Sequence, residues 1–252
     1  MTKNSRWVAM LCIASLFIAV GGCSDDDDVI QRQQVSADQA AALIEDAVPF
    51  IVEFGSDIAD LLEAVSSGKS GNMSRQVECV PIPGFDSEFF CTVPADGAVC
   101  PVDAMTTEWV FANCVETGFD PGTLDGTVTV TEAGNTFDLD FGLDVDGGSM
   151  TGLMQVVLGD PCVTVTYTGF EIADGGVSNT IDGTNTICPE SVTGTLNVTV
   201  NATGIQRFLM EISFVQGIPT ILVVDPSTSA PLYTCQYNPL SETAQCFPFE
   251  EF

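Results

Sequence analysis

The sequence predicts a mainly β fold: an antiparallel meander that forms a curved sheet or an open barrel, with one N-terminal amphipathic helix and disulfide-bonded loops. From Gly126 onward apolar residues alternate with polar ones, which is the period of a half-buried strand. Gly, Asn, Asp and Pro interrupt this alternation at hairpin spacing. Before it, apolar residues recur at helical spacing within residues 35–68. A two-sheet sandwich is the alternative architecture.

The helical segment has recognisable start and stop signals. Ser36-Ala37-Asp38-Gln39 is a capping-box pattern and predicts the first turn. Pro49 predicts a kink, or a division into two helices with Ser56 capping the second, and Gly68 predicts the end. Acidic residues interrupt the apolar face, so the helix is amphipathic. We expect it to pack on the sheet; a lid or partner-binding helix is the alternative.

The rest of the chain divides by texture. Residues 79–125 contain four cysteines and five prolines and predict an irregular, disulfide-bonded section, whereas residues 126–252 predict the β meander. Together with residues 35–68 they are expected to form a single globular domain, 35–252. Two tetrapeptides that contain Asp-Gly, Leu124–Thr127 and Ile181–Thr184, resemble each other, which indicates repeated chemistry at strand starts without establishing an internal repeat.

The N terminus carries an export signal. Lys3 and Arg6 precede an apolar run, Trp7–Val20, that has the length of a secretory leader. The run ends in Val20-Gly21-Gly22-Cys23, which resembles the lipobox of bacterial lipoproteins. This resemblance implies that residues 1–22 are a signal peptide and that Cys23 is acylated after cleavage. Two or three acyl chains would anchor the protein stably to a membrane.

Residues 23–34 predict an acidic tether. The resemblance to lipoproteins implies an outer-membrane address, because Ser24 instead of an acid follows the cysteine. Ser24 and the four aspartates Asp25–Asp28 also resemble the surface-export signal of lipoproteins from the Bacteroidetes group. A run of four like charges is more often a solvated, self-repelling spacer. Both the periplasmic and the cell-surface side therefore stay open.

The cysteines indicate an oxidising compartment. Of ten, Cys12 lies in the leader and Cys23 is the predicted lipid site, so eight remain in the domain. An even set in an exported chain predicts a disulfide framework, and no C-x-x-C pair indicates zinc or an iron–sulfur cluster. Because each sequential pair flanks turn-forming residues, we predict nearest-neighbour bonds: Cys79–Cys91, Cys100–Cys114, Cys162–Cys188 and Cys235–Cys246.

Composition excludes several classes of function. The chain has 35 acidic and 6 basic residues, no histidine and a formal charge of -29. This charge opposes binding to nucleic acid and polybasic attachment to anionic lipid. Without histidine, the Ser-His-Asp and Cys-His nucleophile arrangements cannot form within the chain.

One acidic strand is a candidate metal site. In the segment Phe137–Asp146 apolar residues alternate with acids or Gly, as in a strand with one wet face. Calcium is the alternative interpretation, since hard cations bind several carboxylates. Its candidate ligands are Asp138, Asp140, Asp144 and Asp146. The match to a calcium-binding EF-hand loop fails at Gly148, Ser149 and Gln155. We therefore expect no cofactor, with calcium as the sole alternative.

These observations favour a non-enzymatic, lipid-anchored outer-membrane protein with a binding or structural role. Its expected partners are the membrane, through the anchor, and an envelope protein or a small apolar ligand. A carboxylate-based hydrolase directed at glycans is one alternative, because the abundant acids could include a catalytic pair. An apolar-ligand carrier is another. A solid core, an acidic cleft or an apolar cavity would distinguish the three.

Overall fold

The computed structural model describes residues 34–68, 80–81, 89–90, 98–103, 105–116, 122–174, 176–189, 191–215 and 218–249. Within these ranges the chain forms one helix and fourteen strands: α1 (Ala37–Gly68), β1 (Val80–Pro81), β2 (Phe89–Phe90), β3 (Ala98–Pro101), β4 (Thr106–Glu116), β5 (Thr123–Ala133), β6 (Thr136–Val145), β7 (Gly148–Leu158), β8 (Val163–Asp174), β9 (Val177–Cys188), β10 (Ser191–Ala202), β11 (Phe208–Val215), β12 (Ile218–Asp225), β13 (Ala230–Asn238) and β14 (Thr243–Pro248).

All fourteen strands belong to one antiparallel sheet. From β3 to β14 each strand pairs with the next, so twelve consecutive strands form a meander, while β1 extends the β3 edge and β2 pairs with β4. Among the described residues no ladder joins β14 to β1 or β3, and the sheet is open. The predicted fold class is confirmed, and the sandwich alternative is wrong because a single sheet holds every strand.

The two faces of the sheet differ as the alternation predicted. In β6 the side chains of Phe137, Leu139, Phe141 and Leu143 are buried, whereas the intervening residues are exposed. The buried set faces inward and belongs to one core cluster that includes residues of α1. The outer face is rich in threonine and acid, and hydroxyl pairs such as Thr164–Thr186 bond across it at 3.0 Å.

Helix α1 lies on the inner face, and the sheet curves around it. Its Glu45 Oε1 accepts the Ala244 N–H of edge strand β14 at 2.7 Å. Its Phe54 ring lies 5.9 Å from Phe141 in β6 and 5.6 Å from Phe170 in β8. In sheet order β6 and β14 are about 38 Å apart along the surface at ~4.8 Å per strand. A helix about 10–12 Å wide touches both only if the sheet wraps it.

The helix begins as predicted and continues further than one alternative allowed. Ser36 N–H donates to Gln39 Oε1 at 3.0 Å and Gln39 N–H donates to Ser36 Oγ at 3.2 Å, which completes the capping box. The division at Pro49 is wrong: α1 runs through it, and Ser56 is an interior residue instead of a cap. The Tyr167 hydroxyl donates to Ile51 O at 3.1 Å just beyond the proline, which attaches this part of α1 to the sheet.

No helix in the described part of the chain is long and apolar enough to cross a membrane. In α1 the acidic residues that interrupt the apolar pattern are the reason, and Asp60 and Glu63 are exposed.

The section expected to be irregular contains a full-length strand. Residues 106–116 form β4, which pairs with β3 and β5, and Trp109 is 1% exposed. The prediction of irregular structure over 79–125 is therefore wrong for β3 and β4. In the sequence, nearby prolines argued against strands here more strongly than the alternation argued for them. In the fold, β4 forms a strand because it pairs with β5.

Two predicted disulfides are confirmed and one is wrong. Cys162–Cys188 and Cys235–Cys246 are bonded, with Cα atoms 4.3 and 4.1 Å apart. Cys79 and Cys91 lie outside the described residues. Cys100 is directly opposite Glu108, six residues before Cys114 on β4, which separates the two cysteines by roughly 20 Å at ~3.3 Å per residue. A bond between Cys100 and Cys114 is excluded, although each is disulfide-bonded.

The two Asp-Gly pairs occupy equivalent places beside β-bulges. Gly126 is directly opposite Phe111 and Gly183 is directly opposite Tyr167, and in each case the register shifts immediately after that aromatic residue. The preceding aspartates, Asp125 and Asp182, accept the backbone N–H of Asn113 and Gly169, the latter at 2.7 Å. The prediction of strand-start chemistry is wrong for Asp182, which lies in the middle of β9.

Candidate functional site

A polar groove lies at one end of the strands in the middle of the meander, beside three turns. The turns connect β6 to β7, β8 to β9 and β10 to β11. The groove has a volume of about 630 Å³. The lining residues that carry its chemistry are Asp144, Ser149, Asp174, Ser178, Asn201 and Arg207.

The strand register assembles the floor of the groove. Asp144 is opposite Ser149, Ser149 is opposite Ala173, Ala173 is opposite Ser178, and Ser178 is opposite Asn201. Directly opposed residues of antiparallel strands share one face, with Cβ atoms about 4.5–5.5 Å apart. Asn201 Nδ2 donates to Ser178 Oγ at 3.5 Å. The result is a row of carboxylate, hydroxyl and amide groups across five strands.

Backbone contacts fix the rim. Thr203 N–H and Oγ1 both donate to Gly176 O, at 3.1 and 3.2 Å, and tie the β10–β11 turn to the β8–β9 turn. At Gly148 a Cβ would lie 2.4 Å from Ala173 O and 3.0 Å from Asp174 Cβ. Only glycine therefore lets β7 approach the end of β8 this closely, which holds Asp174 beside the groove.

The groove contains charges of both signs. Arg207 is the only Lys or Arg among the residues that the structure describes, and its side chain is exposed. Asp144 and Asp174 line the same groove. A guanidinium pairs with a carboxylate or phosphate through two parallel hydrogen bonds, and the hydroxyl and amide groups suit a hydroxyl-rich ligand.

The chain enters the domain next to this groove. Gln34 and Val35 line a second, small pocket together with Arg207 and Asp225. The Tyr233 hydroxyl donates to Val35 O at 3.2 Å and fixes the chain there. Gln34, the first residue that the structure describes, therefore lies close to the groove.

The four calcium candidates are separated by the fold. They line the wet side of β6 and its turn, as the strand interpretation predicted: Asp138 accepts a 2.8 Å hydrogen bond from Gln155 Nε2, and Asp146 accepts one of 3.2 Å from Thr123 N–H. Asp144 points to the groove instead. Within the described ranges no three Asp, Glu, Cys or His side chains are arranged to hold a metal ion.

The titratable groups with shifted pKa values have structural surroundings. Hydrogen bonds from the backbone of Met105 and Thr106 lower the pKa of Asp103, and those from Ser227 lower the pKa of Asp225. Asp103 is an exposed residue of the β3–β4 connection, and Asp225 is the last residue of β12. Burial raises the pKa of Tyr167, which bonds α1. A general acid needs the opposite shift from that of the two aspartates.

Side chains of α1 and of the sheet pack against each other in the interior of the described domain. Phe54, Phe141, Tyr167 and Phe170 form its aromatic centre, with ring centroids 5.2–5.9 Å apart. Asn185 is a polar residue in this largely apolar interior. It is fully buried on β9, and its side-chain amide has no hydrogen-bond partner among the described residues.

Sequence reasoning identified Asp144 but missed Ser149, Ser178, Asn201 and Arg207. Arg207 carried a usable signal, because bases are rare in this chain. The other three are ordinary polar residues of alternating strands, and only the register brings them together.

No protein family, curated protein or solved structure matches the chain. The function is therefore inferred from the N-terminal sequence and from the geometry of the domain.

Proposed function

We propose that the protein is a lipid-anchored outer-membrane protein whose domain binds a polar envelope ligand at the groove, without catalysing a reaction. Removal of residues 1–22 leaves Cys23 as the acylated N terminus. The single observation that carries the anchor is the sequence Val20-Gly21-Gly22-Cys23 directly after an apolar leader. The eight remaining cysteines and the two disulfides of the β domain are consistent with export.

The position of the groove relative to the tether supports this role. Gln34 is the eleventh residue after Cys23, and a fully extended chain of that length spans at most about 40 Å. Because Gln34 and Arg207 line the same small pocket, the tether joins the domain near the groove and keeps this end of the domain within about that distance of the anchor. A ligand at the groove would then be an envelope component close to the membrane surface.

The shape of the domain favours a surface binder over the two alternatives. A carrier of apolar ligands needs a lined cavity, but aromatic side chains occupy the described interior between helix and sheet. A glycosidase needs two carboxylates facing each other across a bond. Asp144 and Asp174 both line the groove with Arg207. Asp174 directly follows Ala173, which shares a face of the sheet with Asp144, so strand alternation directs the two carboxylates to opposite faces. The mixture of hydroxyl, amide and charged groups favours a saccharide-like ligand.

The anchor is tested by metabolic labelling with an alkyne-tagged fatty acid. The Cys23→Ala variant should lose the label, and globomycin should accumulate the unprocessed precursor of the wild type. Cys12→Ala is the matched control, since it also removes a cysteine near the N terminus but leaves the proposed lipid site. Retention of the label in Cys23→Ala would refute the anchor.

The groove is tested separately with a panel of neutral and acidic oligosaccharides. Arg207→Gln and Ser178→Ala should weaken binding about tenfold, the size of one lost charge-assisted hydrogen bond. Asp138→Asn is the control, because this exposed carboxylate lies on the outer face away from the groove lining. Equal binding by all variants would refute the groove, and release of shortened saccharides would establish the hydrolase alternative instead.

A further inference from the structure

The disulfides of the described domain follow one geometric rule. Cys235 and Cys246 are directly opposite each other on β13 and β14. Cys162 immediately precedes Val163, which is opposite Ile187, and Cys188 immediately follows Ile187, so this bond also joins opposed positions of neighbouring strands. The Cα atoms are 4.1 and 4.3 Å apart, close to the ~4.5 Å of a directly opposed pair without hydrogen bonds.

The same rule applies at the other edge of the sheet. In the β1–β3 ladder Val80 is opposite Val99. Continuing this register by one residue would pair position 79 with position 100, and both are cysteines. In the β2–β4 ladder Phe90 is opposite Val115. Continuing that register by one residue would pair position 91 with position 114, which are again both cysteines.

We propose that Cys79 is bonded to Cys100 and Cys91 to Cys114. Cys100 and Cys114 are both disulfide-bonded, and the roughly 20 Å between them along β4 prevents them from bonding each other. Cys79 is covalently adjacent to Val80, and Cys91 to Phe90, at 3.8 Å between Cα atoms. Each is therefore tied to a residue that faces the immediate neighbour of its proposed partner.

The remaining arrangement, Cys79–Cys114 with Cys91–Cys100, fails on the same distances. β2 pairs with the C-terminal end of β4, at Val115 and Glu116, whereas β3 pairs with its N-terminal half, from Thr107 to Val110. Cys91 is thus held close to Cys114 and away from Cys100. The two bonds interleave along the chain, in contrast to the nearest-neighbour pattern at Cys162–Cys188 and Cys235–Cys246.

These bonds attach the shortest strands of the sheet. β1 and β2 contain two residues each, and so few ladder pairs hold a strand weakly against an exposed edge. Each bond forms when two thiols lose two protons and two electrons to a disulfide oxidant, which leaves as two thiols; oxidised glutathione serves in vitro. Covalent attachment keeps β1 on β3 and β2 on β4.

The test is a peptide map of the full-length, non-reduced protein, alkylated before digestion. A protease that cleaves after Asp and Glu separates all four cysteines, because Asp86, Glu88, Asp96, Asp103 and Glu108 lie between them. We expect linked peptides that contain Cys79 with Cys100 and Cys91 with Cys114. Any other linkage among these four would overturn the proposal.

Thiol counting provides an independent measurement. The matched double variant Cys79→Ser with Cys100→Ser should have no free thiol beyond those of the parent. The mismatched variant Cys79→Ser with Cys91→Ser should gain two, which map to Cys100 and Cys114 after alkylation. The reverse result would establish the nearest-neighbour pattern, and the wild-type peptide map decides the matter if either variant does not fold.

Discussion

Replacement of Gly183 by alanine tests whether the close approach of the paired strands β9 and β10 depends on glycine. Gly183 has a φ of +126°, a value that L side chains rarely adopt. A Cβ built there would lie 2.4 Å from Thr195 O and 3.0 Å from Leu196 Cα. Both atoms belong to the backbone of β10, so no side-chain rotation relieves the clash, and the ladder itself must move.

The expected cost combines two effects. Holding alanine in this conformation costs about 1–3 kcal/mol. Shifting the neighbouring strand weakens about two ladder hydrogen bonds, at ~1 kcal/mol each in net terms. The free energy of unfolding should therefore fall by about 3–5 kcal/mol. For a domain of this size each kcal/mol lowers Tm by about 2–4 °C, which gives a decrease of roughly 6–20 °C.

The measurement is thermal unfolding by circular dichroism, with Gly142→Ala as the matched control. Gly142 is an exposed position of β6, and the atom nearest to the new Cβ outside its own segment would be Thr127 O, at 3.8 Å. Alanine there should stabilise the strand by about 0.5–1 kcal/mol. If Gly183→Ala melts within 2 °C of the wild type, about the size of a 1 kcal/mol change, the close approach of the two strands is not what the structure indicates.

Three further predictions concern the helix and the acidic strand. Tyr167→Phe should cost about 1 kcal/mol at neutral pH, because its hydrogen bond to Ile51 is lost. Burial raises the pKa of Tyr167, so the contribution of this residue to stability is complete below the unfolded pKa of about 10 and declines as pH rises above it. In urea unfolding, the free energy of unfolding should therefore fall less between pH 8 and pH 11 in Tyr167→Phe than in the wild type. An equal fall in both proteins would contradict this. Glu45→Ala should lower the free energy of unfolding by about 2 kcal/mol and accelerate hydrogen exchange at the Ala244 amide. The control Asp60→Asn, on the exposed side of α1, should change neither quantity. If the Ala244 amide stays protected in Glu45→Ala, another group covers the edge of β14. Calcium and chelator should give the same Tm, since β6 spreads its carboxylates along one face, and a rise with calcium above 2 °C would identify a site that the described residues do not form.

Part of the fold was predictable because its signals are local. Ser36 and Gln39 are three residues apart, and their reciprocal bonds form within one helical turn. The alternation in Phe137–Val145 specifies a strand and its two faces without reference to any neighbour. Cys235 and Cys246 are joined by a short hairpin, so nearest-neighbour reasoning succeeded there.

The errors occurred where a distant strand decides the outcome. The alternation in β4 lies between prolines and was not recognised as a strand, because its pairing with β5 is visible only in the fold. The helix α1 continues through Pro49, and the sheet bonds it before and after the proline, at Glu45 and Ile51; no local rule contains these contacts. The Asp-Gly pairs contribute to bulges because Asp125 and Asp182 accept backbone N–H groups of the neighbouring strand, 12 and 13 residues away in sequence. These contacts exist only once the two strands are paired.

By itself the sequence predicted the leader, the tether and the oxidising compartment, and it determined the period of the strands, since these depend on composition and on spacing within a few residues. The tertiary structure alone decided the register. Register selects which residues stand opposite each other, and it therefore brought Asp144, Ser149, Ser178 and Asn201 into one row and placed Val80 opposite Val99 and Phe90 opposite Val115. Hydrogen bonds between strands carry no side-chain label, so bulges, turns and burial of one face jointly set that choice.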